Sequence, residues 1–140
     1  MLGLILALAI GGAAGTEENA SPSGEIRMDH RPPPVPSSAR KQAEDTIRHG
    51  QADPGSVQFR DEGVSQAASV KRGAFGERIA GPVSIVCGQY NAHGQTGAYD
   101  GYSWFFVAIK RGEVLWSESD QASDGLGAAY SSCKNAGLAS

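Results

Sequence analysis

Cys87 and Cys133 are the two cysteines of the chain. Their chemistry depends on compartment: an oxidising one pairs them, a reducing one leaves two thiols. Neither belongs to a Cys-x-x-Cys pair, and the 3 His form no cluster around them, so neither a redox thiol nor a zinc site is indicated. The two positions are 46 residues apart. A bridge closing a loop of that length would stabilise the domain by about 4 kcal/mol in the chain-entropy model. Two free buried thiols are the alternative.

The second cluster of chemically versatile residues is the stretch 88–102, Gly-Gln-Tyr-Asn-Ala-His-Gly-Gln-Thr-Gly-Ala-Tyr-Asp-Gly-Tyr. Tyr90, Tyr99 and Tyr102 alternate there with amides and glycines. Such a mixture supplies stacking area and hydrogen bonds at low entropy cost, which suits a contact surface. Tyr90, Asn91, His93, Tyr99, Tyr102 and the following Trp104 are therefore the candidate partner-binding residues. A glycine-rich connection whose tyrosines prop its base is the plainer reading. A Ser103, His93 and Asp100 trio can be drawn, as can a His49, Asp53 and His93 metal site. Spacing supports neither, because a triad is recognised by geometry. The chain has no Gly-x-Ser-x-Gly elbow, no His-Glu-x-x-His helix and no phosphate-cradling Gly-x-x-x-x-Gly-Lys. No catalytic residue, metal or cofactor is assigned.

The elements that must position these residues make an α+β fold: an N-terminal helix, an antiparallel sheet of four to five strands, and a C-terminal helix linked to the sheet by a disulfide. Ala39, Ala43 and Ile47 recur every four residues and predict a helix. Ser37 or Ser38 serves as its N-cap, and Gly50 is placed at its end. Asp53-Pro54-Gly55-Ser56 is a turn by its chemistry. Strands are predicted from Val57 and Phe59, near Val64–Lys71, and around Phe75–Ile79, with a turn at 72–76. Pro82–Cys87 is β-branched, and Trp104–Ile109 is apolar on both faces, so it needs cover on both sides. The helices are expected on one face, leaving Trp104 and Phe106 for a loop, the tether or another chain. Lys110-Arg111-Gly112-Glu113 is a tight turn before a last strand at Val114–Trp116. The basic residues of the two turns, Lys71-Arg72 and Lys110-Arg111, are expected to be solvated. Asp120 or Ser123 caps the final helix, with Leu126, Tyr130 and Cys133 on one face.

Residues 1–15 read as a signal peptide. Leu2–Ala14 contains only Leu, Ile, Ala and Gly, too short a run to span a bilayer but of h-region length. Cleavage before Gly15 or Thr16 fits the small-residue rule. No basic residue precedes the run, which implies either an upstream natural start or a weak signal. An uncleaved anchor and a buried helix are the alternatives. Residues 16–38 read as a Pro-rich disordered linker, with Ile26 and Val35 as its large aliphatics and an extended rod at 32–36. Residues 39–140 form a single α+β domain holding all the aromatic residues, 4 Phe, 4 Tyr and 2 Trp.

The chain has 140 residues, with 12 basic and 15 acidic side chains and a net charge of −3. That balance excludes a strongly basic nucleic-acid footprint. A hydrophobic content of 40% against 19% charged suits a packed core. An export signal together with a cysteine pair points to the periplasm or the extracellular space, with no stable membrane span in the mature chain.

Three runs, Asp53-Pro54-x-Ser56-x-x-Phe59-Arg60, Val86-Cys87-Gly88-x-x-Asn91-Ala92 and Gly97-x-Tyr99-x-Gly101-Tyr102-x-x-Phe105, carry a resemblance. In order and content they resemble a group of small uncharacterised bacterial proteins that are exported or lipid-anchored. The resemblance spans Asp53 to Ile109, about half of the mature chain. It implies a bacterial envelope protein and assigns no catalysis. His93-Gly94 stands where that group often carries polar Lys/Asn-type residues. The leading expectation is a non-catalytic periplasmic or secreted binding module for a protein or another envelope component. A secreted enzyme inhibitor and a small hydrolase-type enzyme using His93 and Asp100 are the alternatives.

Overall fold

The structure is a computed structural model that describes residues 25–28, 34–121 and 127–140. Along the chain come strand β1 (Glu25–Met28), helix α1 (Ala39–His49), a 3-10 turn (Pro54–Ser56) and strands β2 (Gln58–Lys71) and β3 (Arg78–Asn91). Strands β4 (Ser103–Lys110) and β5 (Glu113–Ser119) and helix α2 (Ala128–Asn135) follow. The strands form one antiparallel five-stranded sheet in sequential order. The expected signal peptide and the expected helix residues Ser123 and Leu126 lie outside the described residues.

β4 shows why both helices are needed. Its side chains alternate, and nearly all are buried. Phe105, Val107 and Ile109 join Val86 and Tyr90 of β3 under Ala39, Ala43 and Ile47 of α1. Phe106 and Ala108 join Ile85 and Cys87 of β3, Trp116 of β5, and Ala129 and Cys133 of α2. Each helix covers one face of the sheet, which corrects the expectation of two helices on one face. Phe106 is fully buried. Trp104 is half-buried with its ring edge-on to Tyr130 at 5.5 Å. The expected exposed Trp104/Phe106 patch is therefore closed within one chain.

The Cys87–Cys133 disulfide links the middle of β3 to the last turn of α2, with Cα atoms 5.8 Å apart. Both cysteines are fully buried. The pairing is compatible with an oxidising compartment, and among the described residues no helix is long and apolar enough to cross a membrane.

Three further corrections concern element limits. The helix at 39–49 is the second element, because β1 precedes it inside the stretch expected to be linker. Ile26 and Met28 pack on the α2-side core, so this short segment has two apolar anchors. Glu25 also reaches across β2 to Arg78 at 2.6 Å, and its carboxyl is held below the usual range, first by Arg27 and also by Arg78. The two strands predicted between Val57 and Lys71 are one long strand. Its register shifts between Arg60 and Gly63 and again between Ala67 and Ser69, and Asp61 takes a positive φ of 52°. Such bulges interrupt the period-two pattern without ending the strand. Finally, Gly50 ends α1 in the right-handed region, at φ −83°, so its glycine freedom is unused there. At the basic turn, the ammonium of Lys110 donates to the Ala80 carbonyl at 2.7 Å.

Candidate functional site

The end of β3 and the start of β4 bring the 88–102 stretch against the turn at 53–56 and the end of α1. Ser56 is the hinge of that junction. Its hydroxyl donates to the Asp53 carbonyl at 2.7 Å and accepts from the His93 amide at 3.0 Å. Its carbonyl accepts from the Tyr99 hydroxyl at 3.0 Å. The His93 ring stands 3.2 Å from Asp53 through Nδ1 and lies 4.2 Å from the Tyr99 ring, centroid to centroid. A single β-bridge joins His93 to Tyr99. Within the loop, Gly94 donates to Ala98 at 2.8 Å, Gly97 to Gly94 at 3.0 Å, and Gly101 to the Asn91 side chain at 3.1 Å. The loop is thus pinned at both ends and across its waist.

Two glycines allow this shape. Gly97 adopts a φ of +80°, a region that disfavours side chains. At Gly94 a Cβ would stand 2.3 Å from Asp100 Oδ2, so glycine lets the Asp100 carboxylate lie against the backbone.

Between the loop, the end of α1 and the end of β5 lies an open cleft of about 280 Å³. Gln51, His93, Gln95, Asp100, Ser103 and Gln121 line it, with Tyr90 also on its wall. Among the described residues no Lys or Arg contributes to it. The three members of the drawable trio, Ser103, His93 and Asp100, do share this cleft. The imidazole Nδ1, however, bonds to Asp53.

The other predicted contact residues sort by depth. Tyr90 is buried, and its hydroxyl donates to the Asp120 carbonyl at 2.7 Å. Burial pushes its phenol pKa up, partly offset by a hydrogen bond with Ser119. Asn91 is spent on bracing Gly101. Tyr102 carries the Arg60 guanidinium 3.7 Å above its ring. Tyr99 is the tyrosine of the loop that stays substantially exposed, at 43%. Trp104 belongs to the packing under α2. The structure therefore brings His93, Tyr99 and Asn91 to one rim and withdraws Tyr90 and Trp104 into the body of the domain.

Residues of this site that sequence reasoning missed are Gln51, Gln95 and Gln121, and the contribution of Asp53 and Ser56 to the loop's anchorage. The Asp-Pro-Gly-Ser signature marks a turn, but no spacing rule ties it to a loop that follows about 40 residues later. Gln95 is legible only as one of the loop's amides, and Gln51 and Gln121, outside the loop, carry no local signal.

Asp120 organises the far wall. Its carboxylate accepts from the backbone amides of Gly127 at 3.1 Å, Ala129 at 3.0 Å and Tyr130 at 3.1 Å. This is the predicted Asp120 cap, made across an intervening stretch of chain rather than from the adjacent N-cap position. A carboxylate at a helix N-terminus satisfies orphan donors and complements the dipole.

Chemically, the arrangement offers amide, hydroxyl, imidazole and carboxylate groups in fixed positions. It holds no acid–base pair bonded to a nucleophile and, among the described residues, no group of three or more His, Cys, Asp or Glu able to hold a metal ion. Comparison of the chain with protein-family models, with curated proteins and with solved structures yields no match.

Proposed function

We propose that the protein is a non-catalytic binding module of the periplasm or extracellular space, and that its contact surface is the pinned loop 92–102 with the cleft beneath it. One observation carries this reading: the loop is tied by its own hydrogen bonds and by Ser56 into a fixed rim around a polar cleft, and it does not collapse into that cleft. Fixing contact groups before binding removes much of the ordering cost of association. The contact surface no longer includes the apolar face of β4, since α2 covers it. His93, Gln95, Tyr99 and Asp100 are its accessible members.

The test is amide chemical-shift mapping of the isotopically labelled domain against fractionated envelope components. Perturbations should cluster on 93–101 and on Gln51, and Tyr99→Ala should weaken them more than Tyr102→Ala, whose ring is engaged by Arg60. Perturbations centred on α2 or β1, or none from any fraction, would reject the proposal. A turnover assay on generic ester, amide and glycoside substrates should show no rate above background that His93→Ala abolishes. Such a rate would move the protein to the enzyme class.

A further inference from the structure

The lining of the cleft narrows the ligand class, given the binding role proposed above. We infer that the cleft accepts a single uncharged, hydroxyl-rich ring, such as one sugar residue of a neutral glycan.

Charge comes first. The lining holds Asp100 and, through His93, the neighbourhood of Asp53, with no Lys or Arg among the described residues to balance them. An anionic ligand would face an uncompensated carboxylate. A cation would meet one solvent-exposed carboxylate, and exposed ion pairs contribute little. Neutral polar chemistry is what the site offers in quantity.

Hydrogen-bond type comes next. Gln95 and Gln121 each carry amide donors and an acceptor, Gln51 offers an acceptor, Ser103 a hydroxyl, and Asp100 acceptors alone. A sugar hydroxyl is itself both donor and acceptor, so vicinal hydroxyls match paired amide and carboxylate groups. Gln51 is already aimed: its Nε2 donates to the Ile47 carbonyl at 3.2 Å, which fixes the side chain and leaves its carbonyl oxygen as the acceptor.

Size and shape agree. A volume of about 280 Å³ lies just below the range of drug-sized pockets, roughly 300–1,000 Å³, so one ring fits and a folded peptide segment does not. The half-exposed ring of Tyr99 stands beside the cleft, held by Ser56 and backed by His93. The exposed surface of such a ring can take the C–H face of a neighbouring sugar ring on its electron-rich side.

The experiment is a titration of the labelled domain with neutral disaccharides and tetrasaccharides of hexose and of N-acetylhexosamine, alongside uronic-acid disaccharides and uncharged tetrapeptides. Neutral saccharides should shift the amides of Gln51, His93, Gln95 and Asp100. Asp100→Ala and Gln95→Ala, both at exposed positions, should each weaken binding about tenfold, the effect of losing one good hydrogen bond. Gly94→Ala should do the same by pushing the Asp100 carboxylate aside, and an unchanged disulfide and an unchanged amide spectrum of the sheet would show that the fold persists. If uronic acids bind as well as neutral sugars, the uncharged class is wrong. If peptides or an envelope fraction shift these amides while saccharides do not, the ligand class is overturned and the binding role stands. If nothing shifts them, both fall.

Discussion

The two faces of β4 are built by opposite means. On one, α1 brings eleven residues with an apolar stripe of Ala39, Ala43 and Ile47, and nothing covalent. On the other, α2 has eight residues, begins after a glycine and has a weaker stripe, yet it carries the disulfide and the Asp120 cap. A short helix is marginal by itself, and here a covalent link and three capping bonds supply what length does not. The polar groups follow the same division. On the α2 side Glu118 accepts from Trp116 at 3.2 Å and from Ser132 at 2.8 Å. Those bonds partly offset the burial that raises its pKa. On the α1 side the Glu62 oxygen Oε2 is buried without a hydrogen bond, and the nearest guanidinium, that of Arg40, is 3.7 Å away. A face held only by packing thus keeps an unsatisfied carboxyl, while on the cross-linked face the carboxylates of Glu118 and Asp120 are hydrogen-bonded and the buried group without a partner is a neutral hydroxyl, that of Ser65 opposite Ile85.

The sharpest way to break this contrast is to open the sulfur bridge. Replacing Cys87 and Cys133 together by Ala should cost about 4 kcal/mol, a large part of the stability of so small a domain. In hydrogen exchange, α2 amides should lose protection before those of α1. Equal loss on both helices would mean the faces are one cooperative unit. Truncating one phenyl ring per face is the matched comparison. Phe106→Ala and Phe105→Ala should each cost about 3–5 kcal/mol by the cavity rule, read by urea denaturation. With the bridge intact, Phe106→Ala should leave α2 docked, whereas Phe105→Ala should loosen α1. Asp120→Ala should cost about 2 kcal/mol, since three backbone amides lose their acceptor. Its fingerprint is loss of protection at Ala129 and Tyr130 without change at Ile47.

The same contrast explains what could be read from the chain. The α1 stripe was legible because period four is a local property of eleven residues. The disulfide was legible because two cysteines leave one pairing once the first residues are read as an export signal. β4 announced itself by apolar side chains at consecutive positions, which only a twice-covered strand needs. The identity of the second cover was hidden, because α2 carries few large apolar residues and is held by long-range bonds from Cys87 and Asp120. β1 was hidden for a similar reason: two alternating apolar residues amid Pro, Ser and Gly become a strand only beside the end of β2. The continuity of β2 was masked by the bulge at Asp61 and Glu62, which puts two residues where the alternation expects one. At the cleft, the tyrosines were visible by type but not by depth. The Asp53–His93 contact spans 40 positions, and only the folded sheet brings the two together.

The smallest expected effect is also the most specific to the α1 face. Glu62 sits in the β2 bulge with its side chain 13% exposed. Burial pushes its carboxyl up to about 7, and Glu44 on α1 adds to the rise while Arg40 and Arg48 oppose it. A carboxyl whose pKa is raised on folding binds its proton more tightly in the folded chain. Its charged form therefore disfavours folding, and stability should fall as pH rises from the ordinary carboxylate range through about 7, then level off. A displacement of that size is worth about 3 kcal/mol at full strength, and access to water and to Arg40 reduces it to about 1–2 kcal/mol. Glu62→Gln removes the charge while keeping the shape. It should raise stability at pH 8 by about 1–2 kcal/mol, leave it nearly unchanged at pH 5, and flatten the pH dependence between them. Urea denaturation of both proteins across that interval is the measurement. A variant that keeps the parental slope would mean that the buried oxygen finds a partner in solution and that the carboxyls of the two faces are equally satisfied, which would remove the electrostatic half of the contrast and leave the covalent half alone.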